Sequence, residues 1–292
     1  MSIKFLNQQD FTIHTHTHEF DGRNSSAEMI DRARAVGFRT IGISNHFIVH
    51  PMIKRTKLYG ASVAGGYSSM YSSDFDEALA KFIPHYAELE QLRDKNPDMQ
   101  ILRGLEVDYF PTPQWADGFA RACEILKPDY LIGSAHFVEY AGTVCNVHDM
   151  AILDDKTQDE MLKIYWSNIR RLAGAGMFNF LAHIDLPKKK GLGLKKKWAG
   201  EWEDTIVAIA ESRTPIEINT SGYKIGTGEP YPGPKILELA KLYHVPMFFS
   251  DDAHHVDQLG RCMDDAYIMA KNCGISNFAS LQKILDFRGK KM

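Results

Sequence analysis

Phe11-Thr12-Ile13-His14-Thr15-His16-Thr17-His18-Glu19-Phe20-Asp21-Gly22 alternates an apolar or small residue with histidine, the period of a strand that turns one face to an interior. A strand of that length puts His14, His16 and His18 on the same face. Crowded imidazoles repel one another when protonated and satisfy one another poorly when neutral. A divalent cation resolves both problems, because neutral imidazole is a common metal ligand. The plain alternative is a solvated histidine-rich edge or a tag remnant.

Five later segments repeat the theme. Ile41-Gly42-Ile43-Ser44-Asn45-His46, Tyr130-Leu131-Ile132-Gly133-Ser134-Ala135-His136 and Phe178-Asn179-Phe180-Leu181-Ala182-His183 are β-type runs that end in histidine. Val245-Pro246-Met247-Phe248-Phe249-Ser250 runs into Asp251-Asp252-Ala253-His254, and Ile101-Leu102-Arg103-Gly104-Leu105-Glu106 ends in a carboxylate. One histidine after a strand is more often a core or capping residue than a ligand. Strand ends that repeatedly deliver ligand-type residues are a different matter. In α/β folds the C-terminal ends of parallel strands face one side, where active sites gather. The pattern points to a metal site.

The rest of the chain alternates strands and helices. Ser25-Ser26-Ala27-Glu28 is a capping-box pattern that opens a helix through Ala33 and Val36, with Gly37 as its stop, and helices are expected over Asp74–Arg93, Gln114–Leu126, Gln158–Ala173, Glu203–Glu211, Pro234–Tyr243 and Asp264–Cys273, and near Ala279–Phe287. Strands are expected at Thr40–Ser44, Gln100–Val107, Tyr130–Ala135, Phe178–Ala182, Pro215–Asn219 and Pro246–Ser250 as well as at the start. Seven strands, each followed by a helix, imply an α/β fold with a mainly parallel sheet. Ligands supplied by most strand ends favour a closed or nearly closed barrel, and 292 residues suit one such domain over 1–292. Phe47–Ser73 is rich in Gly, Ser and Tyr without a core period. It reads as an irregular lid or substrate wall, or as a plain insertion.

Composition narrows the partners. A net charge of −3 provides no global field for nucleic acid or anionic membrane. No apolar run approaches the ~18 residues of a membrane span, and the first ten residues lack the apolar core of a signal peptide. Cys123, Cys145, Cys262 and Cys273 form no Cys-x-x-Cys pair, which fits reduced thiols and a cytoplasmic protein.

His14-x-His16-Thr17 with Asp21-Gly22, then Ser-Asn-His46, Glu106, His136, His183 and Asp252-x-His254 followed by Leu259-Gly260 resemble the metal motifs of the PHP (polymerase and histidinol phosphatase) superfamily. The segments Gly133-Ser134-Ala135-His136-Phe137, His183-Ile184-Asp185-Leu186 and Glu217-Ile218-Asn219-Thr220-Ser221-Gly222, with Tyr231-Pro232 after them, are similar to its histidinol-phosphate phosphatase branch. The resemblance implies a distorted (β/α)7 barrel with two to three divalent ions at the C-terminal strand ends. It assigns His14, His16, Glu106 and Asp252 to the first ion, Asp21, His46 and His254 to the second, and Glu106, His136 and His183 to the third. Mixed imidazole and carboxylate ligands suit zinc, manganese or iron better than calcium.

The sequence departs from the family pattern in two places. Thr12 stands where the motif usually has aspartate, and Asn45 where many members have aspartate. The branch also tends to hold the substrate phosphate with arginines from two loops. Here those loops carry Lys188, Lys189 and Lys190 in one and Lys224 in the other, so Lys188, Lys189 and Lys224 are the candidate phosphate ligands. Lysine keeps the charge and loses the bidentate fork. Lys195–Lys197 read as a solvated loop. His50, His85, His244 and His255 read as surface or capping residues, while His18 and His148 are weak candidates for the site.

The chemistry these residues imply is hydrolysis of a small phosphorylated metabolite, with L-histidinol phosphate the substrate suggested by the branch. A metal-bridging hydroxide serves as nucleophile, because coordination lowers the pKa of water from 15.7 to about 7. Asp21 or His254 would shuttle the proton to the leaving group. The alternatives are a PHP-type phosphodiesterase or cyclic-phosphate hydrolase, an amidohydrolase, and a non-catalytic PHP module. His46 at the second strand and the final Asp-x-His argue against the amidohydrolase, and ligand-type residues at every motif position argue against the module.

Overall fold

The computed structural model describes residues 4–225, 228–276 and 278–287; Met1-Ser2-Ile3 of the leader reading lie outside them. The chain divides into two compact units, 1–132 with 251–261, and 133–250 with 262–292. The first unit runs β1 (Phe11–Thr12), α1 (Ser26–Val36), β2 (Thr40–Ile43), β3 (His46–Val49), α2 (Lys57–Gly65), β4 (Tyr71–Ser72), α3 (Phe75–Lys95), β5 (Gln100–Asp108), α4 (Pro113–Leu126) and the first residues of β6 (Tyr130–Ser134). The second contains the end of β6, β7 (Phe137–Tyr140), β8 (Thr143–Asn146), α5 (Asp155–Ala175), β9 (Phe180–Leu181), α6 (Ala199–Ser212), β10 (Ile216–Asn219), α7 (Pro234–Leu242), β11 (Met247–Ser250), α8 (Met263–Asn272) and α9 (Leu281–Phe287). The expected seven strands are the path β1-β2-β5-β6-β9-β10-β11.

In the first unit β1, β2 and β5 pair in parallel, with Phe11 opposite Thr40 and Thr40 opposite Gln100. Their shared register brings the strand C-termini, and the ligand-type residues that follow them, to one end. The helices start where local chemistry says they should. Ser25 and Glu28 form a reciprocal capping box on α1, and Gly37 ends it with φ 109°, a conformation open to glycine at little cost. Asp74 and Thr112 cap α3 and α4. Tyr130 fills the centre of the unit. A Cβ at Gly42 or Gly104 would lie 2.2 Å from its ring or hydroxyl atoms, so two glycines on adjacent strands make room for one aromatic side chain.

In the second unit β9, β10 and β11 are parallel, with Ile216 opposite both Leu181 and Met247. Ala182 N–H donates to Gly133 O (2.9 Å), which ties β9 to the end of β6. Phe180 and Phe248 meet edge to face at 4.8 Å in a core that also holds buried Tyr165, Trp166 and Phe249.

Three expectations need correcting. The opening strand stops at Thr12, because the donors beyond it take other partners. Thr15 N–H goes to Ser44 Oγ, His16 N–H to Ala253 O, Thr17 N–H to Asn45 Oδ1 and His18 N–H to Asn24 O. Phe47–Ser73 is not irregular. It contains β3, α2 capped by Thr56, and β4, with β4 pairing with β3 and β3 with β5. Its two short strands are too brief to show a period. The hairpin β7–β8 was not expected at all; its turn, Ala141-Gly142 with φ 50° and 75°, has the two left-handed residues of a tight hairpin.

Glu77 fastens this inserted segment to α3. It accepts from Lys54 Nζ at 2.8 Å, Ser73 N–H at 2.9 Å and Lys81 Nζ at 3.0 Å. Partial burial would raise its pKa, but the lysines and the Ser73 amide hold it down at about 2. A carboxyl depressed in the folded state stabilises fully above its unfolded pKa of ~4.3 and loses that contribution as pH falls toward the folded value. Glu77→Gln should therefore be less stable than wild type at pH 7, and the gap should shrink as pH falls from ~4.5 toward ~2. Urea unfolding at several pH values checks this; a gap independent of pH contradicts it.

Candidate metal centre

The first unit gathers His14, His16, Asp21, His46, Glu106, Asp252 and His254. His14 and His16 follow β1, His46 opens β3 opposite Glu106 of β5, and Asp252 and His254 come from the segment 251–261 that lies beside residues 14–16. His14, His16 and Glu106 are fully buried. His14 Nε2 lies 3.4 Å from Glu106 Oε2 and 3.5 Å from Asp252 Oδ1, and His16 Nε2 lies 3.5 and 3.2 Å from the same two oxygens. Asp21 Oδ2 lies 3.3 Å from His46 Nε2 and 3.0 Å from His254 Nε2, while Asp21 Oδ1 is 3.5 Å from His16 Nδ1. His16 and His254 stack with centroids 4.1 Å apart.

These distances test whether the residues fit a cation. Four donors at ~2.1 Å from a tetrahedral ion stand ~3.4 Å apart, the edge of the tetrahedron. Three of the four separations around His14, His16, Glu106 and Asp252, 3.4, 3.5 and 3.5 Å, match that edge and exceed an ordinary hydrogen bond, and the fourth, His16 Nε2 to Asp252 Oδ1 at 3.2 Å, falls a little short of it. Among the described residues neither ring nitrogen of buried His16 makes a hydrogen bond, nor does Asp21 Oδ1. Polar atoms left this way are costly unless something occupies the space between them. The donor set fits a divalent ion.

Protonation tells the same story. Burial alone would push Asp21 up, yet His254, His46 and His16 hold it well below the usual carboxylate range. Burial would likewise raise Asp252, and His14, His16 and His254 overcome it. Burial would lower His254, but Asp21 and Asp252 bring it up to about 9, and Glu106 and Asp21 raise His46 well above normal. His16 is lowered by its burial and by His254 and His46. Ionised carboxylates facing partly protonated imidazoles amount to a site where protons stand in for cationic charge.

Several residues set these ligands in place. Asp251 is buried and accepts from Thr12 Oγ1 at 2.9 Å and Gly260 N–H at 2.8 Å, so a carboxylate does lie next to position 12, supplied from the other strand end. Asp252 itself has φ 47°, a strained conformation for a non-glycine residue of the kind that collects at functional sites. Asn45 accepts from Thr17 N–H at 2.8 Å and donates to Thr17 Oγ1 at 2.9 Å, and its Nδ2 lies 3.0 Å from His85 Nε2. His85 is thus no surface residue: it is buried on α3, its pKa lowered to about 4 chiefly by burial. Gly22 is required because a Cβ there would lie 2.7 Å from the backbone of His16 and Thr17. His18 turns away to Glu19, with its side chain 54% exposed.

The second unit holds the other candidates. His136 and His183 meet with ring centroids 4.9 Å apart. Fully buried Glu217 accepts from His183 N–H (2.9 Å), Asn219 Nδ2 (2.7 Å) and Ser250 Oγ (2.6 Å), fixing the backbone of a ligand-type residue; an alternating buried strand gave no sign of this. Burial, then Lys189 and His136, lower half-buried His148 to about 3. Lys188 is buried against Asp185 Oδ2 (3.1 Å) and donates to Pro230 O. Lys189 and Lys224 are exposed, Lys224 on the turn after β10. Lys195–Lys197 are exposed as well.

The PHP domain pattern matches residues 10–221, and the chain belongs to the PHP domain family. It is 25% identical over 218 residues, 74% of this chain and 78% of the other, to a Deinococcus radiodurans protein named "Probable histidinol-phosphatase". It is similar to the structure of the histidinol phosphate phosphatase of Lactococcus lactis complexed with zinc, L-histidinol and phosphate, with a TM-score of 0.70, 17% identity, and coverage of 94% of this chain and 98% of that one. A Listeria monocytogenes structure matches with a TM-score of 0.69 and 19% identity over 86% of this chain and 97% of its own. The likeness shows the fold, the (β/α)7 class expected from the strand and helix order.

Metal loading should give at least two equivalents of divalent ion per chain by elemental analysis. Glu106→Ala should lose more metal than any single histidine-to-alanine change, because Glu106 Oε2 stands within 3.5 Å of His14, His16 and His46 nitrogens together. One equivalent or none in the loaded wild type contradicts the multinuclear reading.

Proposed function

We propose that this protein hydrolyses L-histidinol phosphate to L-histidinol and inorganic phosphate, with 1–292 acting as one PHP-type catalytic domain. The chain is a metal-dependent phosphoric monoester hydrolase acting on a small phosphorylated metabolite. The observation that carries the reading is the tetrahedral spacing of His14, His16, Glu106 and Asp252, joined to family membership and to the relatives' names. We assign Asp21, His46 and His254 to a second ion, and His136 and His183 to a third, the ions being zinc, manganese or iron. Among the described residues no helix is long and apolar enough to cross a membrane; a cytoplasmic location is part of the proposal.

Bound ions supply a nucleophile from water at neutral pH and neutralise charge on the phosphoryl oxygens. The residues supply the rest. His254 Nε2 and Asp21 Oδ2 stand 3.0 Å apart; the one of the two that is not bound to the second ion would hold the proton for the departing alkoxide. Thr12, Asp251, Asn45 and His85 keep the ligands from rotating out of register. Lys224 and Lys189 attract the phosphate as point charges, which orient less well than guanidinium forks, whereas the ammonium of Lys188 is taken up by Asp185 and Pro230 O.

Phosphate release from a panel of metabolites should show L-histidinol phosphate among the best substrates, with activity lost on chelation and regained with manganese or zinc. Turnover of phosphodiesters without monoesters would overturn the assignment, and broad monoester activity with poor use of histidinol phosphate would overturn its substrate half. A charge-assisted hydrogen bond contributes about 1.5–3 kcal/mol. Lys224→Ala should therefore lower kcat/KM by roughly 10- to 100-fold with metal content unchanged. Unchanged kinetics would remove Lys224 from phosphate binding.

A further inference from the structure

His148 stands beside the ligand-type histidines of the second unit without being one of them. The hairpin β7–β8 puts it there. Phe137 pairs with Asn146, and the Val147 N–H then donates to His136 O at 2.9 Å, so the chain leaves the hairpin alongside His136. The His148 N–H donates to Asn146 Oδ1 at 2.8 Å, where the chain enters the short helical turn Asp149–Ile152. These bonds use main-chain atoms and leave the His148 ring uncommitted.

The ring is also open. His148 is half-buried. Among the described residues neither of its ring nitrogens makes a hydrogen bond, and neither is sealed from solvent, unlike the nitrogens of His16. Burial, then Lys189, His136, Lys190 and His183, bring its pKa down to about 3. The neighbours whose charges act on the ring are thus two lysines and two imidazoles, groups that carry positive charge or none. Such surroundings favour an anion and disfavour a further cation. An imidazole carries at least one N–H in either protonation state, so the ring can donate to that anion whether neutral or charged.

Lysines attract a phosphoryl group without fixing its direction, whereas a guanidinium fork offers two directed donors. A ring N–H on a short side chain restores one such direction. We propose that His148 is a phosphate-binding residue, its ring N–H donating to a phosphoryl oxygen beside the Lys189 ammonium. Together the two side chains take over the two-donor role of a fork. The inference rests on the phosphatase reading and deepens it, because it gives the substrate's phosphoryl group a directed contact from the hairpin of the second unit.

Calorimetry of inorganic phosphate binding to the metal-loaded protein tests this without turnover. His148→Phe keeps a ring and removes both nitrogens, and it should raise the Kd for phosphate roughly tenfold or more with metal content unchanged. His148→Gln retains an N–H donor and should stay within about threefold of wild type. On whichever phosphate monoester the wild type hydrolyses best, His148→Phe should raise KM roughly tenfold and leave kcat within about threefold, a split that a general loosening of the fold would not produce. If His148→Phe fails to fold, wild type labelled with 15N-histidine provides the reading. The ring-nitrogen resonances that His148→Gln lacks should shift when phosphate is added. The inference is overturned by equal phosphate affinity in wild type and His148→Phe, by a loss that His148→Gln shares in full, by His148 resonances that phosphate leaves in place, or by a wild type that binds no phosphate. A wild type that binds phosphate through His148 yet turns over no monoester would contradict the phosphatase reading alone.

Discussion

Imidazoles and carboxylates packed out of water at one end of a parallel sheet are the constraint on which the site depends. His14, His16 and Glu106 are fully buried, and burial penalises charge on each of them. Their donor atoms nevertheless stand at spacings too long for good hydrogen bonds and right for a shared cation. Without one, the balance falls to protons held on His46 and His254. A divalent ion replaces those protons with a charge that every surrounding donor can approach at once.

The neighbouring structure follows from that demand. Ligands that must converge within a few tenths of an ångström need backbones that do not drift. The chain after Thr12 gives up strand pairing so that each amide from Thr15 to His18 binds a specific partner. Asp251 clamps Thr12 and Gly260, Asn45 clamps Thr17, and in the other unit Glu217 clamps the His183 amide. Glycine appears where a side chain would intrude, at Gly22 under Asp21 and at Gly42 and Gly104 around Tyr130. Asp252 adopts a left-handed backbone that it would otherwise avoid.

Much of this was legible in the sequence. The alternation of strands and helices, the capping box at Ser25 and the strand-end histidines are local patterns, and the helices lie close to where periodicity puts them. What stayed hidden depends on distant partners. The strand signal over His14–His18 was real as alternation, but its donors are claimed by residues 6 to 237 positions away. His85 looked like a surface histidine because only the fold brings Asn45 to it. The missing aspartate at position 12 looked like a loss, although Asp251 supplies a carboxylate to the same spot from the far end of the chain. Lys188 reads as one of three adjacent lysines, and only packing distinguishes a buried one from its exposed neighbours.

The most direct test of the metal reading is anomalous diffraction from crystals grown with zinc. A peak about 2.0–2.2 Å from His14 Nε2, His16 Nε2, Glu106 Oε2 and Asp252 Oδ1 together is the predicted result. A centre with no peak, in which these four groups close into direct hydrogen bonds with one another, would contradict it.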